Sequence, residues 1–174
     1  MNKSLLIFSL ACLFVLAISN PCQEADLLHI INRATGYYLG TSAGSNLLVL
    51  NYDYQLWCLN DESRSFYVPV PELNKNTPNT GIVLYKNGEN NVIQVRGGVL
   101  SNAVLDLVPV EEATCYEADW EITFLPDSHM FSIRTVLENA SQLAISAVST
   151  NPQDGVTLKP FNPADTLQQW IIQR

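Results

Sequence analysis

The sequence predicts an all-β domain, and two features of the chain support that prediction. Apolar residues alternate with other residues over short runs bounded by turn residues, as in Val83-Leu84-Tyr85 and Phe131-Ser132-Ile133. Beyond the N-terminal segment, no long stretch has apolar residues at helical spacing. Short strands are therefore predicted along the chain, and three more are Leu28-His29-Ile30, Val104-Leu105-Asp106-Leu107 and Val156-Thr157-Leu158.

The strands recur in three similar units. Each unit opens with a hairpin-like segment, and the second strands of these segments contain Leu39, Ile93 and Leu143. An aromatic residue follows 27 residues after each of them and opens a later strand; these are Phe66, Trp120 and Trp170. A third strand of the form apolar-x-Leu is predicted between them, at Tyr54-Gln55-Leu56, Leu105-Asp106-Leu107 and Val156-Thr157-Leu158. The sequence thus predicts three repeats of four strands each.

Three such repeats can bury a core that one repeat cannot. Two strands from each repeat would close a six-stranded barrel, and the remaining hairpins would cover one end of it. Closure also removes long unpaired sheet edges, which promote aggregation. Phe66, Trp120 and Trp170 are then expected at equivalent core positions around a pseudo-threefold axis. The predicted architecture is a β-trefoil.

The N-terminal segment has the features of a secretory signal peptide. Lys3 supplies a positive charge, and the apolar run from Leu5 to Ile18 is 14 residues long, shorter than the roughly 20 that span a bilayer. Ala17 and Ser19 are small residues at the −3 and −1 positions of a cleavage site before Asn20. We expect a signal peptide over 1–19, a single β-trefoil domain over 20–174 and an extracellular location.

The charge balance excludes two classes of partner. The chain has 9 Lys+Arg against 17 Asp+Glu, for a formal net charge of −8. Nucleic-acid binding requires a cluster of positive charge that this sequence lacks, and anionic membrane surfaces would repel the protein. No later segment is apolar enough to span a membrane.

Cysteines and one sequon provide two further expectations for an extracellular protein. Cys22, Cys58 and Cys115 remain after the predicted cleavage. Three cysteines in an oxidising compartment allow one internal disulfide in any of three pairings, and the sequence leaves the choice open. Asn139-Ala140-Ser141 is an N-glycosylation sequon, whose acceptor asparagine we expect in a surface loop.

Several motifs resemble those of the ricin-B-like (QxW) lectins. Gln168-Gln169-Trp170 matches the Q-x-W signature in the last strand, and residues 54–58 with Asn60 resemble the V-Q-L-W-x-C-N strand. Residues 32–39 are similar to the N-x-x-T-G-x-x-L hairpin, so that the resemblance extends over the whole mature chain. It implies a secreted β-trefoil that binds extracellular glycans or glycoproteins without catalysis.

The resemblance also implies a site in the first repeat. Family members bind sugar through an aspartate after the second strand, a glutamine and a stacking aromatic, and an Asn-Gln pair. Gln55 and Trp57 match the glutamine and the aromatic, and Asn60 would bond further hydroxyls. The alternatives are a buried core position for Trp57, and backbone hydrogen bonding for Gln168. The aspartate positions of the three repeats are occupied by Gly40, Gln94 and Ala144.

Catalytic and metal-binding patterns are missing from the sequence. Neither His29 nor His129 lies near a plausible Ser or Cys nucleophile in the chain, since His129 follows Ser128 in a turn, and the Cys and His spacings match no zinc site. The carboxylate pairs Asp61-Glu62 and Glu111-Glu112 are interpreted as loop charge rather than as a glycosidase pair. We therefore expect no enzyme activity, no metal and no cofactor.

Two other functions fit the same fold. A secreted β-trefoil protease inhibitor would insert one exposed loop into an extracellular protease, and the connector 71–80 carries a lone Lys75 between two prolines. Prolines reduce the entropy lost when a loop is held in one conformation. The other function is protein binding by a trefoil that has lost its sugar site.

Overall fold

The computed structural model describes residues 22, 26–61, 68–69, 73–136 and 142–174, and most of the regular secondary structure there is β-strand. The first unit contains β1 (His29–Asn32), β2 (Tyr38–Thr41), β3 (Leu48–Asn51) and β4 (Trp57–Asp61), followed by the short β5 (Val68–Pro69). The second contains β6 (Asn79–Lys86), β7 (Asn91–Val95), β8 (Leu105–Pro109), the one-turn helix α1 (Cys115–Ala118) and β9 (Trp120–Leu125). The third contains β10 (Met130–Thr135), β11 (Leu143–Ala147), β12 (Val156–Pro160) and β13 (Trp170–Gln173).

The first and fourth strands of the three units form a six-stranded antiparallel barrel. Their order is β1, β13, β10, β9, β6 and β4. A single bridge returns from β4 to β1, in which Leu28 and Trp57 exchange backbone hydrogen bonds of 2.9 and 3.0 Å. Because of this bridge, neither strand is left with a long unpaired edge.

The second and third strands of each unit form a hairpin, and the three hairpins contact one another. β2 pairs with β3, β7 with β8, and β11 with β12. Isolated bridges join neighbouring hairpins at Leu47–Asp106 and Val104–Thr157. A barrel of first and fourth strands with three joined hairpins is the β-trefoil predicted from the sequence.

The barrel core contains one tryptophan from the fourth strand of each unit: Trp57, Trp120 and Trp170. All three are fully buried, and each indole N–H donates a hydrogen bond to a carbonyl of its own unit's second strand. The acceptors, in the same order, are Leu39 at 3.0 Å, Ile93 at 3.2 Å and Ile145 at 3.1 Å. The pseudo-threefold arrangement of core aromatics is therefore present, and the core positions predicted for Trp120 and Trp170 are confirmed.

The first unit is shorter than the 27-residue step predicts. Its tryptophan follows Leu39 by 18 residues, whereas the separations from acceptor to tryptophan are 27 and 25 in the other units. The reason is loop length, because five residues connect β3 to β4 and ten connect β8 to β9. The predicted third strand at 54–56 is consequently a loop, and the equivalent of Ile93 in the third unit is Ile145 rather than Leu143. Trp57 occupies the place predicted for Phe66, which lies outside the described residues.

A second apolar cluster lies on the outside of the barrel. Cys58 alternates along β4 with Trp57 and Leu59, which face the core, so its side chain points outward. There it forms a disulfide with Cys22, with a Cα–Cα distance of 5.6 Å. This bond selects one of the three pairings that the sequence left open. The cluster contains Cys22, Cys58, Val83, Tyr85, Val92 and Ala118.

Of the expectations on the signal peptide, the glycosylation sequon and membrane spans, the structure bears only on the last. Residues 1–19 and Asn139 lie outside the described residues, so the signal peptide and the glycosylation site stay predictions. Over the part of the chain that the structure describes, no helix has the length and apolar character needed to cross a membrane.

Candidate functional site

Trp57 is the predicted stacking aromatic, and the structure places it in the core. None of its surface is exposed, and its indole N–H is bonded to the Leu39 carbonyl. A sugar that stacks on an indole needs an exposed ring face. The stacking role predicted for Trp57 is therefore wrong, and its alternative position in the core is confirmed.

Gln55 forms hydrogen bonds to the backbone of its own unit. Its Oε1 accepts from the Thr41 backbone N–H at 3.0 Å, and its Nε2 donates to the Thr41 carbonyl at 3.4 Å. Gly40 leaves the space for this contact, because a Cβ there would lie 2.8 Å from Cδ of Gln55 and 2.6 Å from Nδ2 of Asn51. In the ricin-B-like lectins, the position of Gly40 holds the sugar-binding aspartate. In this chain the Gln55 amide occupies that space instead.

Gln168 has the same role in the third unit. Its Oε1 accepts from the Asn162 backbone N–H at 2.8 Å, and its Nε2 donates to the Pro160 carbonyl at 3.0 Å. Both glutamines precede a core tryptophan by two residues, and both orient the loop that enters the fourth strand. The Q-x-W pattern in this chain therefore has a structural explanation that needs no ligand.

Asn60 is out of reach of a sugar, and the aspartate positions of the second and third units, Gln94 and Ala144, hold residues that are bonded internally or buried. Asn60 is fully buried, and neither polar atom of its amide has a hydrogen-bond partner in the described part of the chain. The hydroxyl-bonding role predicted for Asn60 is wrong, because a buried amide is out of reach. Gln94 is bonded to Thr114 at 3.0 Å and Glu117 at 3.1 Å, and Ala144 is fully buried. Among the described residues, none of the three aspartate positions therefore offers the carboxylate of the family's sugar site.

Exposed aromatic side chains instead gather at one place in the first unit. Tyr52 is 68% exposed and Tyr54 is 64% exposed. They lie in the loop between β3 and β4, beside half-buried aromatic residues of β1, of β2 and of the turn between them. We call these five residues the tyrosine face: His29, Tyr37, Tyr38, Tyr52 and Tyr54.

Backbone pairing explains why residues 25 positions apart in sequence meet there. Tyr38 at the start of β2 pairs with Asn51 at the end of β3 and with Ile31 in β1. The Leu28–Trp57 bridge then holds the other end of the β3–β4 loop against the start of β1. The loop that carries Tyr52 and Tyr54 is thus fixed at both ends.

The tyrosine face consists of two groups of rings. Tyr37 and Tyr52 form one, with ring centroids 4.6 Å apart at an angle of 65°. His29 contacts Tyr54 at 5.3 Å and 87°, and Tyr38 at 5.5 Å and 64°, which makes the second. Tyr54 also lies 6.4 Å from Tyr38, at an angle of 67°. Tyr52 and Tyr54 are therefore each in edge-to-face contact with less exposed rings, while most of their own surface is accessible to solvent.

The loop that carries the exposed tyrosines also contains a carboxylate. Asp53, between the two exposed tyrosines, is itself exposed, and within the described residues no ion pair or hydrogen bond involves its carboxylate. The arginines that follow β1 and β13 have other partners, since Arg33 donates to Gln169 and Arg174 lies 3.9 Å from Asp26.

Tyr37 is held in its neutral form. A hydrogen bond with Tyr52 raises the pKa of Tyr37 above its ordinary value, and partial desolvation raises it further. Tyr37 therefore remains protonated at physiological pH and keeps its hydroxyl as a donor and acceptor.

A signal for this site was present in the sequence. Four of the seven tyrosines lie between residues 37 and 54. Sequence reasoning assigned residues 54–56 to a strand and Trp57 to the ligand, so the neighbouring tyrosines received no role.

The described part of the loop proposed for protease inhibition, residues 73–80, folds onto the barrel. Asn79 closes it, since its Oδ1 accepts from the Asn74 backbone N–H at 2.8 Å and its Nδ2 donates to the Asn74 carbonyl at 3.0 Å. The Lys75 ammonium lies 5.5 Å from the centroid of the Phe124 ring. A compact turn with its lysine packed on an aromatic ring gives less support to insertion into a protease cleft than an extended loop would.

The remaining titratable residues are dispersed. His129, in the turn after β9, packs against Phe124 with centroids 6.2 Å apart, and is separate from His29. Glu111 and Glu112 are exposed in a turn. Among the described residues, no group of three His, Cys, Asp or Glu side chains could hold a metal ion.

Comparison with known proteins found solved structures with a similar fold. No protein-family model and no curated protein matches this chain. A salivary protein from Culex quiquefasciatus, of the Cysteine and Tryptophan-Rich (CWRC) family, is 15% identical with a TM-score of 0.59, over 86% of this chain and 93% of that one.

Two further solved structures are equally similar. The designed 3-fold symmetric protein ThreeFoil is 14% identical with a TM-score of 0.60, over 86% of this chain and 99% of that chain. The receptor binding domain of botulinum neurotoxin C/D mosaic serotype is 14% identical with a TM-score of 0.60, over 85% of this chain and 41% of that chain. At such low identities, these likenesses show that the chain has the β-trefoil fold.

Proposed function

We propose that this protein is a secreted, non-catalytic glycan-binding β-trefoil whose binding surface is the tyrosine face. The observation that carries the proposal is the exposure of Tyr52 and Tyr54, both supported by further aromatic rings. Large aromatic side chains are normally buried or partly buried. A fixed loop that presents two of them to solvent is typical of a recognition surface.

The chemistry of this surface suits a sugar. A sugar ring presents an apolar C–H face, which stacks on an aromatic ring, and a rim of hydroxyls, which hydrogen-bond to polar groups. Tyr52 and Tyr54 offer the rings and their own hydroxyls, and Asp53 between them offers two acceptor oxygens. The site is shallow, so we expect weak binding at each copy and a strong gain from multivalent presentation.

Secretion is supported by two independent features. The Cys22–Cys58 disulfide belongs to an oxidising compartment. The first 19 residues have the charge, apolar run and small residues of a signal peptide. A binding function is also consistent with the botulinum receptor binding domain among the structures of similar fold.

A glycan array tests the proposal with a matched control. We expect the wild-type protein, displayed multivalently, to bind a defined set of glycans, and Tyr54→Ala to reduce that binding at least tenfold. Leu100→Ala is the control, because Leu100 is 67% exposed and lies in the hairpin turn of the second unit. Absence of binding by the wild type, or equal loss in both variants, would overturn the proposal.

The protease-inhibitor alternative is separated by a second assay. If it is correct, the protein inhibits an extracellular trypsin-like protease, and Lys75→Ala abolishes inhibition while free sugars leave it unchanged. Inhibition with this dependence, combined with an empty glycan array, would replace the glycan-binding proposal.

A further inference from the structure

We infer that the ligand of the tyrosine face is an uncharged oligosaccharide of at least two sugar units, and that Asp53 excludes acidic glycans. This inference rests on the proposed function and specifies its ligand class. Two observations carry it: the division of the aromatic rings into two groups, and the exposed carboxylate of Asp53, which follows Tyr52 and precedes Tyr54 in the loop and has no bonded partner in the described part of the chain.

The ring groups determine the length of the ligand. Tyr52 rests on Tyr37, whereas Tyr54 rests on His29 and Tyr38, and no ring contact joins the groups among the described residues. Each exposed tyrosine is thus a separate stacking position with its own support. One sugar ring covers one aromatic ring, so a ligand that uses both needs at least two sugar units.

The charges determine which glycans are accepted. Asp53 is exposed and lies between Tyr52 and Tyr54 in the sequence, and no hydrogen bond or ion pair involves its carboxylate in the described part of the chain. A sialic acid or sulfate placed there would meet a carboxylate without a compensating charge, on a protein of net charge −8.

A neutral sugar gains from the same carboxylate. Sugar hydroxyls are donors, and hydrogen bonds from hydroxyls to an ionised carboxylate are about twice as strong as those between neutral groups. Asp53 therefore both bonds a neutral ligand and repels an acidic one. The Asp53→Asn substitution keeps the shape of the side chain and removes the charge, so it should weaken binding of the neutral ligand and relieve the repulsion of the acidic one.

The experiment compares matched glycans and matched variants. Wild type, Asp53→Asn, Tyr52→Ala and Tyr54→Ala are titrated with a neutral array-positive oligosaccharide, its sialylated form and its constituent monosaccharides. Asp127→Asn, an exposed aspartate in the turn between β9 and β10, is the control. Circular dichroism checks that each variant is folded.

We expect wild type to prefer the neutral glycan by at least tenfold, and Asp53→Asn to lose roughly tenfold of that preference. Tyr52→Ala and Tyr54→Ala should each weaken oligosaccharide binding, and a monosaccharide should bind at least tenfold more weakly than the oligosaccharide. Asp127→Asn should match wild type throughout.

Three outcomes would overturn the inference while the proposed function stands. These are equal or tighter binding of the sialylated glycan, an unchanged preference in Asp53→Asn, and monosaccharide binding as tight as that of the oligosaccharide. Displacement of glycans by tetramethylammonium at lower concentration than by neutral sugar would instead assign the carboxylate and rings to a cationic ligand. A complete lack of glycan binding would overturn the proposed function, and the inference with it.

Discussion

Replacing Trp57 with phenylalanine tests the assignment of this residue to the core. The substitution removes the indole N–H that donates to the Leu39 carbonyl at 3.0 Å. A buried carbonyl left without its partner costs about 1–3 kcal/mol. The smaller ring also leaves a cavity in a fully buried site, which adds about 1 kcal/mol or more.

The expected total loss is about 2–4 kcal/mol in the free energy of unfolding. For a domain of this size, that loss corresponds to a decrease in Tm of roughly 5–15 °C. Urea denaturation followed by circular dichroism measures the free energy, and a thermal scan measures the Tm. Glycan binding at a temperature where the variant is folded should match wild type, because the tyrosine face is intact.

Pseudo-symmetry supplies the matched controls. Trp120 and Trp170 are equally buried and make the equivalent hydrogen bond, at 3.2 and 3.1 Å. Trp120→Phe and Trp170→Phe should therefore cost the same as Trp57→Phe to within about 1 kcal/mol. The reasoning is refuted if Trp57→Phe remains within about 0.5 kcal/mol of wild type while the other two are strongly destabilised. A loss of glycan binding in folded Trp57→Phe would equally contradict the placement of the site.

Two further predictions concern the disulfide and the hydrogen bonds of Gln55. Cys58→Ala removes a cross-link between residues separated by 36 positions, and loop-closure entropy predicts a loss of about 4 kcal/mol in the free energy of unfolding. Denaturation of wild type with and without reductant checks this value, and an unchanged midpoint in both would contradict it. Gly40→Ala places a methyl group against the Gln55 amide and should cost about 1–3 kcal/mol. The cost should shrink in the Gly40→Ala, Gln55→Ala double variant, and strict additivity would show that the two residues are independent.

The sequence predicted the fold because its signals are local or periodic. Short apolar runs bounded by turn residues identified the strands at 83–85, 105–107, 131–133 and 156–158. In the structure every residue of these four segments is buried, including Asp106, Ser132 and Thr157. Trp120 and Trp170 were placed in the core because the loops of their units have similar lengths. The prediction was wrong for the first unit. There a shorter loop places the core tryptophan at position 57, and no local sequence pattern indicates that this loop is shorter.

The candidate site depended on information that a motif does not contain. Gln55, Trp57 and Asn60 have the residue types of a sugar site, yet the fold uses the first two for internal hydrogen bonds and buries Trp57 and Asn60 completely. Residue type states which bonds a side chain can form, whereas burial decides whether a ligand can reach it.

By itself, the sequence determined that the chain would form three units of short strands around buried aromatics, because the strand pattern is a property of consecutive residues. The tertiary structure decided the pairing of Cys22 with Cys58 and the exposure of Tyr52 and Tyr54. Both depend on which strands become neighbours when the barrel closes, and that closure is a long-range event set by packing across all three units.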